Sequence, residues 1–257
     1  MSTTSGRRAE PVCTVTIIAL DRGGLRLVTS RDERRGRPQA TPPRWREIEG
    51  GRRAVWPTDP EGGGTWLGAD DRGMVLTLLN GNPEPSPDLS GLSLRSRGLL
   101  IPELLEQAGD AGLEAVFGLL EELDLEAFAP FRLVGAEPAR RGEGAVVFDA
   151  SWDRRRLSAS GADAPPACFV SSGLGDSVVR ARLPLFVRMV GDEPTPEVQD
   201  LFHAHYWPDR LHQSVWMSRA GARTVSVSVV EVLPEDDGAR VEMVSIPVGE
   251  PPVPSRL

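Results

Sequence analysis

The sequence predicts an α+β protein assembled from antiparallel strand pairs, and three observations carry that prediction. Strand-compatible runs fall as hairpins at both ends of the chain. Helical periodicity is confined to two blocks, 102–123 and 177–206. Between them there is none of the regular strand–helix alternation that builds a doubly wound parallel sheet.

The elements follow in order. Residues 12–20 (VCTVTIIAL) carry β-branched side chains at strand density, DRGG turns the chain at 21–24, and 25–30 returns. If Leu20 pairs with Leu25, Cys13 falls opposite Asp32, with Arg31 beside it. Residues 33–57, rich in arginine and proline, read as an extended surface excursion carrying Trp45 and Trp56. The stretch from 59 to 82 is the most informative. Gly62, Gly63 and Gly64 leave their amides unshielded, so another backbone or a ligand can approach closely. Residues 65–68 then form a short strand, 69–73 a tight turn ending on Gly73, and 74–79 a strand that closes on Asn80. Asn80 and Asn82 are the only asparagines in the chain.

A proline- and serine-rich loop at 83–90 leads to helices at 102–107, with Pro102 in the first turn, and at 113–123. Strands are expected at 131–136, 145–152, 156–160 and 167–172. A helix follows at 177–189, and a second runs from the N-cap Thr195 to Tyr206. Residues 224–233 and 241–246 close the chain as a hairpin. A single folded domain is therefore expected over 12–246, with 1–11 and the proline-rich 247–257 unordered.

Composition excludes several functions. A net charge of −8 argues against nucleic acid and against anionic membrane surfaces as partners. All 29 basic residues are arginine, which rules out Schiff-base lysines and the phosphate-loop lysine. Two cysteines give no disulfide framework, and neither a secretory signal nor an apolar run near roughly 18 residues is present, so a soluble cytoplasmic protein is expected.

Candidate chemistry centres on Cys13, readable as a nucleophile favoured by Arg31 or as a small buried hydrophobe. Cys168, within ACFV, reads as the latter. Arg31-Asp32-Glu33 is either a charge group orienting a reacting atom or a solvated run. Asn80 offers an uncharged donor to a developing oxyanion, or simply an Asn-Gly turn. His203, His205 and His212 lack metal-ligand spacing, since residues two apart on a helix do not face one another. Trp66, Trp207 and Trp216 suit core or pocket walls.

Four blocks in order, Cys13-Thr14, Ser30-Arg31-Asp32-Glu33 with Arg37-Pro38, Gly63-Gly64-Thr65-Trp66-Leu67-Gly68, and Leu76-Thr77-Leu78-Leu79-Asn80, resemble the Asn-Arg-Asp-Glu (NRDE) family, whose eukaryotic members are called transport and Golgi organisation protein 2. The resemblance implies an N-terminal-nucleophile-hydrolase fold, an αββα sandwich of two antiparallel sheets between helix layers. It implies a cysteine amidohydrolase acting on a small amide or acylated metabolite. Cys13 would be the nucleophile, and its own α-amine, titrating near about 7.7–8.0, the base. Arg31 and Asp32 would orient the thiol, Asn80 would bind the oxyanion, Trp66 would line the substrate pocket, and Arg223 would add a polar contact. Two departures accompany it: Ser30 replaces the motif's opening asparagine, and Ser172 stands where a later asparagine is expected near the substrate. An α-amine at Cys13 also requires removal of residues 1–12. The family equally implies an alternative, non-catalytic binding and trafficking of haem or of lipid and acyl-CoA. On that reading haem is a ligand; otherwise no cofactor and no metal is expected.

Overall fold

The computed structural model describes residues 12–139 and 144–252. Its strands are β1 (Val12–Ala19), β2 (Leu25–Arg34), β3 (Thr41–Glu47), β4 (Arg53–Thr58), β5 (Leu67–Asp70), β6 (Val75–Asn80), β7 (Phe131–Pro138), β8 (Ala145–Trp152), β9 (Leu157–Asp163), β10 (Ala167–Ser172), β11 (Ser218–Arg219), β12 (Ala222–Glu235) and β13 (Gly238–Pro247). Its α-helices are α1 (Leu100–Gln107), α2 (Leu113–Glu122), α3 (Arg182–Val190) and α4 (Pro196–His203).

Among the described residues the strands form two antiparallel sheets. One runs β10-β1-β2-β12-β11 with β13 also on β12, and the other runs β3 through β9 in chain order. Alternation along the strands decides what each face meets. Cys13, Val15 and Ile17 of β1, with Leu25 and Leu27 of β2, face Leu67, Val75, Val134 and Val147 of the second sheet across the central core. The other face of the second sheet, through Leu76, Leu78 and Leu133, packs under Leu104 and Leu105 of α1 and Val116 and Leu120 of α2. On the far side, Ile18 of β1 meets Leu185 and Phe186 of α3 and Phe202 of α4. The order is therefore helix, sheet, sheet, helix. Each large apolar side chain enclosed this way contributes about 1.5–3 kcal/mol.

Several expectations are revised. Residues 33–57 are no excursion, because β3 and β4 pair as an edge hairpin of the second sheet, with Trp45 opposite Val55. The 177–189 helix is a 3-10 turn at Asp176–Val179 followed by α3, and α4 stops at His203. Thr195 does cap α4, accepting from the Val198 N–H, with Pro196 at its first position. At the C-terminal end, residues 247–252 are bound rather than loose. The Val248 N–H donates to the Val225 carbonyl, and Trp216 Nε1 donates to the Gly249 carbonyl. The expectation for residues 1–11 lies outside the described residues, as does that for 253–257. Among the described residues no helix is long and apolar enough to cross a membrane.

The β1–β2 register is the revision that matters most for function. The Leu20 N–H bonds the Gly24 carbonyl and Ala19 pairs with Leu25, so five residues turn the chain rather than four. Cys13 therefore lies opposite Arg31, not Asp32. A slip of one residue sends every side chain to the other face. Arg31 and Glu33 turn inward with Cys13, while Ser30 and Asp32 face the helices.

Candidate active site

Cys13 sits at the start of β1, between Arg31 on β2 and Ser171 on β10. It is 8 % exposed, and what it borders is a cavity of about 210 Å³ shared with Arg31, Trp66 and Asn80. Two glycine segments build one wall. The Thr65 N–H donates to the Gly98 carbonyl at 2.9 Å, and a Cβ on Gly64 would stand 2.4 Å from the Gly98 carbonyl carbon. Only glycine permits that approach of main chain to main chain.

Arg31 is held from three sides. Its Nη2 donates to Glu33 Oε1 at 3.1 Å and to Asp59 Oδ2 at 3.3 Å, and its guanidinium lies 4.3 Å over the Trp66 ring. Arg37 closes the square on the same carboxylates, with Nε 3.0 Å from Asp59 Oδ2 and 3.4 Å from Glu33 Oε1. Burial pulls the Asp59 carboxyl up, but the hydrogen bond from Arg37 and both guanidinium charges leave it below its ordinary value. Glu33 is raised, because its burial outweighs the same two arginines.

The thiol is not activated in this form. Burial, reinforced by the Asp32 and Glu33 charges, pushes Cys13 up to about 12 against a hydrogen bond from the Asp32 backbone and the Arg31 charge. Arg31 does favour the thiolate by its charge, but burial, with the Asp32 and Glu33 charges, outweighs it.

Asp32 does not join the cavity. The Thr224 hydroxyl donates to its Oδ1, and Arg182 Nη2 lies 3.8 Å from its Oδ2. Burial raises it to about 7 despite Arg182. It braces β2 against β12 and α3 from beneath the sheet. Arg182 is the residue that sequence reasoning missed. It is fully buried, donating Nη1 to Thr14 Oγ1 at 2.6 Å and Nε to the Gln213 carbonyl at 3.0 Å. Its signal was present, since Arg182, Leu185, Phe186 and Val190 form the buried stripe of α3 at helical spacing.

Ser172 is also displaced from the expected role. Its N–H donates to Asp176 and its hydroxyl accepts from the Leu174 N–H, so it ties down the turn after β10. Its neighbour Ser171 is the one opposite Cys13. The Ser171 hydroxyl donates to the Asn80 carbonyl at 2.7 Å and accepts from Asn82 Nδ2 at 3.0 Å. Asn82 thus fastens the exit of β6 to β10 and positions Asn80. Arg223 borders an adjacent cavity rather than this one. His203 is a core residue, its Nε2 2.8 Å from Thr16 Oγ1 and its Nδ1 2.7 Å from Ser30 Oγ. Among the described residues, no histidine borders the Cys13 cavity.

A sequence model described as Transport and Golgi organisation 2 matches residues 14–160, more than half of the chain. The chain belongs to the transport and Golgi organisation 2 family. Among curated proteins no sequence matches. Among solved structures, this family member is similar to a Caenorhabditis elegans N-acylethanolamine-hydrolyzing acid amidase ortholog, at 12 % identity and TM-score 0.53, over 88 % of this chain and 94 % of that one. Two structures of mutant forms of the conjugated bile acid hydrolase from Clostridium perfringens superpose less closely. One, a cysteine-to-alanine mutant, gives TM-score 0.48 at 11 % identity over 93 % of this chain and 97 % of that one. The other, an arginine-to-leucine variant, gives 0.49 at 12 % identity over 93 % and 98 %. With its four layers, the transport and Golgi organisation 2 chain has the sandwich of N-terminal-nucleophile hydrolases.

Proposed function

We propose that this protein is a cysteine amidohydrolase of the N-terminal-nucleophile kind, acting on a small amide or acylated metabolite. One observation carries the reading: Cys13, at a strand start, borders a small cavity together with Asn80 and the clamped Arg31. In this mechanism Sγ attacks the amide carbonyl carbon and the Cys13 α-amine takes the thiol proton. The Asn80 carboxamide donates to the oxyanion. The amine then returns the proton to the leaving nitrogen, and water cleaves the thioester. With Val12 attached, the Cys13 nitrogen is an amide and no such base exists; independently, burial keeps the thiol protonated. Similarity to an acid amidase supports the reaction type, and the 210 Å³ volume supports a small reacting group.

The test places a specific protease site immediately before Cys13 in the full chain. Before cleavage, iodoacetamide should label Cys13 slowly and N-acyl amides should survive. After cleavage, confirmed by intact mass, labelling should accelerate and hydrolysis should rise with pH through about 7.7–8.0. Cys13→Ala should abolish turnover. A folded, cleaved chain with neither faster labelling nor an acyl-enzyme mass would overturn the proposal.

A further inference from the structure

Beside the Cys13 cavity lies a second, of about 220 Å³, enclosed by residues 35–42 and the ends of β12 and β13. The two share a wall, because Arg31 and Arg37 border both. Their linings differ in charge. The Cys13 side presents Glu33 and Asp59 with its arginines, whereas the second cavity presents Arg31, Arg35, Arg37 and Arg223 and, among the described residues, no carboxylate. Such a concentration of one sign is unexpected in a chain of net charge −8. The arginines are held in place from behind. Glu33 and Asp59 grip Arg31 and Arg37, and Glu250, outside the lining, pairs with Arg35 and lies 3.8 Å from Arg223. Ser226 also borders the space; it is 8 % exposed, and its hydroxyl has no hydrogen-bond partner among the described residues. An enclosed hydroxyl without a partner and guanidinium groups fixed by carboxylates behind them are complementary to a planar anion, which accepts from both.

We infer that this second cavity is an anion site that receives a carboxylate-bearing ligand against the wall it shares with Cys13. Under the proposed hydrolase reading the ligand is the substrate, an acylated amino acid or similar anionic amide. The site stands without that reading, because binding needs no turnover.

Calorimetry on the full-length Cys13→Ala protein therefore tests it, with hippurate as probe and N-benzoylethanolamine as the uncharged counterpart. Hippurate should bind at least tenfold more tightly, and its affinity should fall as salt is raised. Arg223→Gln should weaken hippurate at least fivefold. Ser226→Asp, which places a carboxylate inside the cavity and leaves every arginine intact, should abolish the preference; thermal melting confirms that both variants fold. Inorganic phosphate that displaces hippurate at similar concentration would support the site with a free anion as its source, and failure to displace would assign it to the acylated ligand. Equal affinity for hippurate and N-benzoylethanolamine, or hippurate binding unchanged in folded Ser226→Asp, would overturn the inference. Hydrolysis by the cleaved chain is unaffected by that outcome, so the two readings fail separately.

Discussion

His203 shows how a single side chain ties the helix layer to the strand that carries Cys13. Its ring bridges Thr16 of β1 and Ser30 of β2, and burial, with Arg26 and Arg182 nearby, pushes it down to about 3 from an ordinary 6.5. Between those values the unfolded chain takes up a proton that the folded chain refuses. The stability from this group is complete above pH 6.5 and is lost as pH falls toward 3. Asp32 acts in the opposite sense. Raised to about 7, it holds its proton when folded and releases it when unfolded above 3.8, so its contribution is lost as pH rises through 7. His203→Gln separates the two, retaining a donor and an acceptor without the titration. Urea unfolding at pH 5 and 7.5 should show the variant losing the His203 gain, so that its stability changes less favourably from pH 5 to 7.5 than the parent's does. Identical pH dependence would contradict a neutral, buried His203.

The paired glycine segments hold the cavity open from the second sheet. Gly64 is not in a left-handed conformation, so its substitution is a purely steric test. A methyl group there meets the Gly98 main chain, which has no side-chain end that can swing away. Gly64→Ala should cost about 1–3 kcal/mol and separate the 62–65 and 96–98 segments. Slowed alkylation of Cys13 alongside the lowered melting temperature is the expected signature; an unchanged melting temperature would show that the two backbones do not touch. The β1–β2 turn matters in the same way. Its five residues select the face on which Arg31 emerges, and with it the composition of the cavity.

Across the full sandwich the central layer and the outer surface of β13 should respond very differently to the same truncation. Leu27 is fully enclosed between the sheets, so Leu27→Ala should cost about 2–5 kcal/mol. Val244, on β13, is 49 % exposed, and Val244→Ala should stay within about 0.5 kcal/mol. Equilibrium urea denaturation of both checks the layer order; comparable losses would place β13 in a packed interior. The same layering gives the first sheet two chemically distinct sides. One is apolar with Cys13 and Arg31 at its rim, and the other carries Thr14, Thr16, Ser30 and Asp32 beneath Arg182, Gln199 and His203.

Much of this was readable in the amino-acid order, because strand and helix periodicity, turn glycines and the Thr195 cap are local properties. The β8 and β10 boundaries and the existence of the 59–82 hairpin needed no more than that, although its first strand lies two residues later than expected. The grouping of Cys13, Arg31, Trp66 and Asn80 came from the family resemblance, not from local pattern. The β3–β4 hairpin was hidden because arginine and proline on an edge strand look like a loop. The place of Asp32 depended on one residue of turn length, which periodicity does not resolve. Arg182 and Asp59 lie far in sequence from the groups they hold, and only closure of the chain brings them there. The thiol's protonation and the one-signed lining beside it arise from burial and from which carboxylates end up behind which guanidiniums, properties that exist only once the layers are packed.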